Sequence, residues 1–355
     1  MDRVYNFGAG PSTIPEKVLL EIQKEFLNFN NTGMSITEIS HRSSEFMALY
    51  DELILNLRTL LNIPDNYEVF FMQGGATLQF SAVPLNLLDK GFAYYISSGF
   101  FAKRAYLEAT KYGDVRLLAS SEDENFTYIP KVVKIDKANY LHVCFNNTIY
   151  GTTYNYIPSG CDVVADMSSC ILSRPIDVSK FALIYAGCQK NMGVAGSTLV
   201  IIRKDLLERS KDNIPLYLNY KIQAENKSMY NTPPVFSLYV TSKIVKYLLS
   251  LGGLEEVEKL NLKKASLLYD YLDKSKIFKG VCDKEFRSIT NVCYRTKSDE
   301  LVKEFIKFAK DNGVVGIKGH RLVGGLRASI YNGMPIEGVI KLLNLMKEFE
   351  EKYEI

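Results

Sequence analysis

The spacing of apolar positions changes twice along this chain. After Pro15, Leu19, Ile22 and Phe26 recur at helical spacing; after Ser43-Ser44, so do Phe46, Tyr50, Leu53, Leu57 and Leu60, predicting two helices. Pro15 suits a first helical turn, where its missing N–H would have no intrahelical partner. From about residue 68 the pattern becomes short runs apolar on both faces: EVFFMQ, FAYYIS, YLHVCF, CDVVAD, FALIYAG and STLVII. Rich in Val, Ile, Phe and Tyr, such runs fit strands covered on both sides, as in a largely parallel α/β sheet. Intervening helices are predicted over 77–88, 101–112 and 204–210. SLYVTSKIVKYLLSLGG then reads as a long helix stopped by Gly252-Gly253.

Beyond those glycines, LEEVEKLNLKKASLLYDYL, DELVKEFIKFAKDNG and EGVIKLLNLMKEFEEKY read as amphipathic helices around short strands such as NVCYRT and GLRASIYN. The expectation is therefore an α/β protein. A large domain with a mainly parallel sheet would span 16–253, and a smaller α+β domain would span 254–355 together with residues 1–15. The length of 355 residues agrees, at roughly 150 residues per domain.

Composition narrows the function. An apolar fraction of 47% with 23% charged residues excludes wholesale disorder. Basic residues number 43 and acidic ones 40, a net charge of +3, which argues against a nucleic-acid partner. No apolar run approaches the roughly 20 residues needed to cross a bilayer, so no membrane partner is expected. The start, MDRVYNFGAGPSTIP, lacks the apolar stretch of a secretory leader, and a cytoplasmic location is expected. Six scattered cysteines without a CxxC pair read as reduced residues. The three histidines, at 41, 142 and 320, lie at no metal-ligand spacing, so no metal is expected.

In a parallel α/β sheet, ligands bind outside the carboxyl ends of the strands. Gln73-Gly74-Gly75-Ala76-Thr77 joins a strand to a helix, where free amides can hold a phosphate; its plainer reading is an ordinary glycine turn. Asp166 closes CDVVAD, and its plainer reading is a solvated strand-end residue. Lys190 follows FALIYAG; partial desolvation there would favour a neutral, nucleophilic amine, the alternative being a lysine snorkelling from a turn. Taken together, a phosphate cradle, a strand-end carboxylate and a strand-end lysine match the needs of pyridoxal 5'-phosphate. Two His-Arg pairs, His41-Arg42 and His320-Arg321, with Arg327 nearby, suggest a small polyanionic substrate.

NFGAGPSTIP, MSITEISHRSSEF, FFMQGGATLQF, FNNTIYGT, VVADMSSCILSRPIDVSKFALIYAGCQKNMGVAG, MYNTPPVFSLY and GHRLVGGLRASIYN extend the match along the whole chain. The sequence resembles the phosphoserine aminotransferases, a family of class V aminotransferases. That resemblance implies a fold-type I enzyme using pyridoxal 5'-phosphate and working as a homodimer with shared sites. It implies Lys190 as the catalytic lysine joined to the cofactor and Asp166 as the partner of the pyridine nitrogen. Ala76, Thr77 and Gln189 would bind the cofactor phosphate, Thr148 would face the ring hydroxyl, and Asn231 and Thr232 would arrive from the neighbouring subunit.

His41, Arg42, His320 and Arg321 would hold the distal anion of the substrate, the first pair from the partner chain, with Arg327 on the α-carboxylate. The implied substrates are glutamate and 3-phosphohydroxypyruvate, giving O-phosphoserine and 2-oxoglutarate in serine biosynthesis. A phosphorylated substrate of pyridoxine biosynthesis would suit the same cations. Where the family places a tryptophan over the cofactor ring, this chain has Phe101, which can still stack. Other readings are an alanine-glyoxylate type aminotransferase, a desulfurase using Cys188 or Cys170, and an inert binding scaffold.

Overall fold

The computed structural model describes residues 3–132, 135 and 137–353; Met1, Asp2, Glu354 and Ile355, within the expected smaller domain, lie outside them. The chain opens with β1 (Tyr5–Asn6), α1 (Glu16–Glu25) and α2 (Ser44–Leu61). Strands and helices then alternate through β2 (Tyr67–Gln73), α3 (Gln79–Leu87), β3 (Ala93–Ser97), α4 (Phe100–Ala109) and β4 (Val115–Ser120). Next come β5 (Leu141–Cys144), a small hairpin of β6 (Asn146–Asn147) and β7 (Thr152–Thr153), β8 (Val163–Asp166), β9 (Leu183–Gly187) and β10 (Ser197–Arg203). Three helices, α5 (Tyr220–Glu225), α6 (Val235–Ser250) and α7 (Leu254–Leu272), lead to β11 (Lys279–Gly280) and β12 (Asn291–Arg295). The chain finishes with α8 (Asp299–Asp311), β13 (Val314–Val315), β14 (Leu326–Ser329) and α9 (Ile336–Tyr353).

Seven strands form the central sheet in the order β2-β10-β9-β8-β5-β3-β4. Only β10 opposes the others, pairing antiparallel with both β2 and β9. The sheet is therefore the mainly parallel one expected. Alternate side chains feed two cores. Val69, Phe71, Val143, Ala165 and Ile184 pack with α2 and α6, whereas Phe70, Tyr95, Val164, Tyr185 and Val200 pack with α3, α4 and α5. Coverage on both faces is why the strands read as continuous apolar runs. A third core joins α7, α8 and α9 to β12 and β14, and takes in Phe7. There β1 pairs in parallel with β13, setting Tyr5 beside Val314.

Three local expectations change. The buried face of α1 is Val18 and Ile22; Leu19 is only partly covered, and Phe26 lies past the helix end and is exposed. The stripe is displaced because Glu25 faces inward, accepting from Lys243 Nζ at 2.7 Å and Tyr239 Oη at 2.9 Å. The segment VRLLAS is β4, an edge strand whose Arg116 and Leu117 are exposed, so it carries no continuous apolar signal. The stretch at 204–210 forms a 3₁₀ helix over Lys204–Arg209 instead of an α-helix.

Polar side chains tie the last core to the sheet's strand ends. Asn261 Nδ2 donates to Ser173 O (2.9 Å) and Asn332 Oδ1 (2.8 Å), and Asn332 N donates to Asn191 Oδ1 (2.9 Å). Lys264, fully buried on α7, donates from Nζ to the carbonyls of Ile330 (3.0 Å), Tyr331 (2.8 Å) and Met334 (3.1 Å). Burial pushes its ammonium down to about 7. Lys264→Met removes the donor from three carbonyls at once and is expected to lower stability by roughly 2–4 kcal/mol, read as a fall in urea midpoint. An unchanged midpoint would show that these carbonyls find other partners.

Candidate active site

The parallel strands release their chemistry at their carboxyl ends. Cys144, the last residue of β5, is in register with Asp166, the last of β8, and Asp166 is in register with Tyr185 of β9. β9 ends at Gly187, and the turn beyond it carries Gln189 and Lys190. A Cβ at Gly187 would stand 2.8 Å from Gln189 Oε1, so the glutamine side chain would have to move to admit one. Lys190 and Asp166 thus reach one cleft, which Ala76, Thr77, Phe101, Thr148 and Gln189 also line.

Lys190 Nζ donates to Thr148 Oγ1 at 2.8 Å and stands 5.4 Å from the centre of the Phe101 ring. Burial lowers its pKa, the Asp166 carboxylate opposes that shift, and the Arg327 guanidinium adds to it. Asp166 shows the mirror image. Burial raises its pKa, while Lys190 and hydrogen bonds from Ser168 and Tyr185 hold it back. Its Oδ1 accepts from Ser168 N at 2.9 Å and from Ser168 Oγ at 2.6 Å.

Beside this pair, Gly75 precedes a helical turn at Ala76–Leu78 that runs into α3, so the leading amides of that turn border the cleft. The Phe101 ring, in the first turn of α4, gives a flat apolar wall. On the far side, Arg327 of β14 donates from Nη1 to Thr148 O at 3.3 Å, and its Nε is buried with no partner among the described residues. A buried guanidinium nitrogen left unmatched fits a site that receives a carboxylate from a ligand. An amine, a carboxylate, a flat wall and a helix start around one cleft are the groups that pyridoxal 5'-phosphate requires, so the residues present fit it.

The remaining expected residues are distributed differently. His320 packs against Phe100, ring centres 5.8 Å apart, and burial followed by Arg327 and Arg321 lowers its pKa. Arg321 beside it is exposed, and His320, Arg321 and Arg327 are not themselves among the residues that line the Lys190 cleft. His41 and Arg42 lie in the loop before α2, outside the lining of the Lys190 cleft; Arg42 is exposed, and His41 Nε2 is buried without a partner among the described residues. Asn231 and Thr232 are also exposed and outside that lining, with Asn231 Nδ2 3.5 Å from Gln73 Oε1. Cys188 and Cys170 do not suit nucleophilic work, because burial pushes their thiols up to about 11 and about 12.

Several residues at the site escaped sequence reasoning. Ser168 clamps Asp166, and a serine two positions after a strand-end acid was the available signal. Asn146 donates from Nδ2 to Ser169 Oγ at 2.7 Å on the cleft wall. The segment Ala9–Ser12 crosses the lysine turn: Ser12 N donates to Gln189 O at 3.0 Å, and Ser12 Oγ donates to Lys190 O. At Gly10, whose φ is +152°, a Cβ would lie 3.2 Å from Lys190 Cγ, so a glycine suits that position.

Comparison with known proteins agrees with this geometry. Residues 4–342 match the family model Aminotransferase class-V. The phosphoserine aminotransferase of Bacillus cereus is 52% identical over 356 residues, covering 99% of each chain. The structure of phosphoserine aminotransferase from Bacillus circulans subsp. alkalophilus superposes with a TM-score of 0.97 at 43% identity, covering 99% of both chains. A phosphoserine aminotransferase from Trichomonas vaginalis, solved with pyridoxal phosphate bound, gives 0.92 at 36% identity, covering 97% of this chain and 100% of that one. A single family model across nearly all of the chain, joined to end-to-end identity of this size, shows that the chain belongs to the class V aminotransferases, among the phosphoserine aminotransferases.

Proposed function

We propose that this chain is a pyridoxal-phosphate-dependent transaminase that converts 3-phosphohydroxypyruvate and L-glutamate to O-phospho-L-serine and 2-oxoglutarate. The observation that carries the reading is one cleft lined by the Lys190 amine and the Asp166 carboxylate, with Arg327 hydrogen-bonded to the backbone of Thr148 on its wall. When bound, pyridoxal 5'-phosphate supplies an aldehyde that accepts an amino group and a protonated ring that draws electrons from the substrate Cα. Lys190 would hold that aldehyde, Asp166 would face the ring nitrogen, and Phe101 would stack on the ring. The amides of Ala76 and Thr77, with Gln189, would hold the phosphate, and Thr148 would meet the ring hydroxyl.

Burial favours the neutral form of Lys190, so its Nζ can take up and return the substrate's Cα proton. Arg327 would clamp the α-carboxylate common to both substrates. Both also carry a second anion, a phosphate or a distal carboxylate, which His320 and Arg321 would share with His41 and Arg42 of a neighbouring copy.

A homodimer follows from that division of labour. What supports it is that exposed apolar residues flank the two segments assigned to the neighbour: Leu27 and Met34 before the His41 loop, Tyr230 beside Asn231. The six cysteines are free, which suits the reducing cytoplasm. No helix among the described residues is long and apolar enough to cross a membrane.

The test is a visible cofactor absorbance that glutamate bleaches, followed by a coupled assay with 3-phosphohydroxypyruvate and glutamate, alanine or cysteine as donor. Glutamate is expected to be preferred; a preference for alanine would favour the alanine-glyoxylate type. Lys190→Ala should abolish turnover in that assay, and normal turnover would sink the assignment. Arg327→Ala is expected to raise KM for both substrates by roughly 10–100-fold, the loss of charge-assisted hydrogen bonds to a carboxylate. An effect on only one substrate would refute the shared clamp. Phe101→Trp, which widens the stacking surface, should slow cofactor release about threefold in a fluorescence measurement; faster release would mean that the pocket is shaped to phenylalanine.

A further inference from the structure

The segment that crosses the lysine turn is itself anchored from the smaller core. Ser12 bonds the carbonyls of Gln189 and Lys190, and Gly10 lies against the Lys190 stem. From β14, Ser329 N donates to Phe7 O at 3.2 Å; just beyond it, Tyr331 Oη donates to Ala9 O at 3.0 Å. Tyr331 meets Asn291, the first residue of β12, whose Nδ2 lies 3.1 Å from Tyr331 Oη and 3.0 Å from Ser329 Oγ. Asn291 Oδ1 lies 2.9 Å from Nδ2 of Asn146, which lines the Lys190 cleft. Asn146, Asn291, Ser329 and Tyr331 are all buried.

The direction of every bond in this chain is fixed from its far end. Ala9 O is a carbonyl and can only accept, so the single phenol proton of Tyr331 points to it. The Tyr331 oxygen must then accept from Asn291. That places the amide nitrogen of Asn291 toward Tyr331 and Ser329, and its Oδ1 toward Asn146. Asn146 therefore donates to Asn291, and its Nδ2 also donates to Ser169 Oγ at 2.7 Å. Both hydrogens of each amide and the one hydrogen of the phenol are thus engaged. A member turned the other way would leave a buried donor or acceptor unmade.

We propose that Asn291 and Tyr331 are positioning residues: their one-way bonds, running from Asn146 to the Ala9 carbonyl, hold the cleft wall and the segment over Lys190 in one fixed relation. The inference rests on the reading of Lys190 as the amine that holds the cofactor. Neither Asn291 nor Tyr331 lines the cleft, so both act through the residues they bond. Asn291 pairs in register with Ser329, and that pairing of β12 with β14 sets how closely Gly10 sits on the lysine stem. A misplacement of about 1 Å at a reacting group can slow chemistry up to about a hundredfold.

The experiment reads two quantities on the purified holoenzyme: deuterium uptake by mass spectrometry and steady-state transamination. Tyr331→Phe keeps the ring and removes only the hydroxyl. Peptide 6–14 should then exchange about tenfold faster while peptide 299–311 of α8 keeps the parent's rate, and kcat should fall about tenfold at an unchanged KM. Asn291→Asp keeps the shape but loses the donor, so the Tyr331 proton is drawn from Ala9 O to the carboxylate, and the same pattern is expected. If Tyr331→Phe does not fold, Asn291→Asp decides alone by the same readouts. Uptake that rises equally in both peptides, or not at all in 6–14, overturns the proposal, because a merely structural role would loosen the whole core. Faster exchange of 6–14 without a fall in kcat overturns it too, as does a raised KM at unchanged kcat. Lys190→Ala separates the two readings. Turnover surviving in that variant rejects the reading of Lys190 and the proposal with it, whereas lost turnover there with unchanged uptake in Tyr331→Phe rejects the positioning role alone.

Discussion

Two opposite charges at the ends of neighbouring strands set the terms for this molecule. Burial drives Lys190 and Asp166 toward neutrality from opposite sides, and their mutual attraction resists in both cases. Such a pair persists in a protein interior only when the surroundings supply hydrogen bonds and fixed geometry. Ser168 caps the carboxylate, Thr148 accepts from the Lys190 amine, and the register of β5, β8 and β9 brings their carboxyl ends to one place. A parallel sheet with both faces covered provides that register without exposing the pair to water from below.

Much of this was legible in the linear pattern. The sheet strands announced themselves because burial on both faces demands continuous apolar runs; β4 did not, because an edge strand with exposed Arg116 and Leu117 has no such demand. The inward face of α1 was misread because Glu25 takes a place that apolar spacing assigns to a hydrophobe, which only its partners Lys243 and Tyr239 reveal. At the site, Lys190 and Asp166 could be found because they interrupt apolar strands at their ends. Ser168 and Asn146 could not, because their part in the site shows only in the partners they bond.

The basic residues divide along the same line. Arg327 reaches the lysine through Thr148 in the same chain, whereas Arg42, Asn231 and Thr232 are exposed, and they and His41 lie outside the lining of that cleft. In the dimer proposed above, one polypeptide would supply the amine and its carboxylate, and a neighbouring copy would bring part of the cationic rim. Affinity for a doubly charged substrate would then depend on assembly, while the reactivity of the amine would not.

The crossing of Ala9–Ser12 over the lysine turn has a further consequence. Those residues are anchored through β1, whose partner is β13, so Tyr5 must wait for Val314. A ribosome delivers the first of these strands almost at once and the second near the end of synthesis. The opening residues can bond the turn that bears Lys190 once it is made, but the strand that anchors them gains its partner only near the end of synthesis.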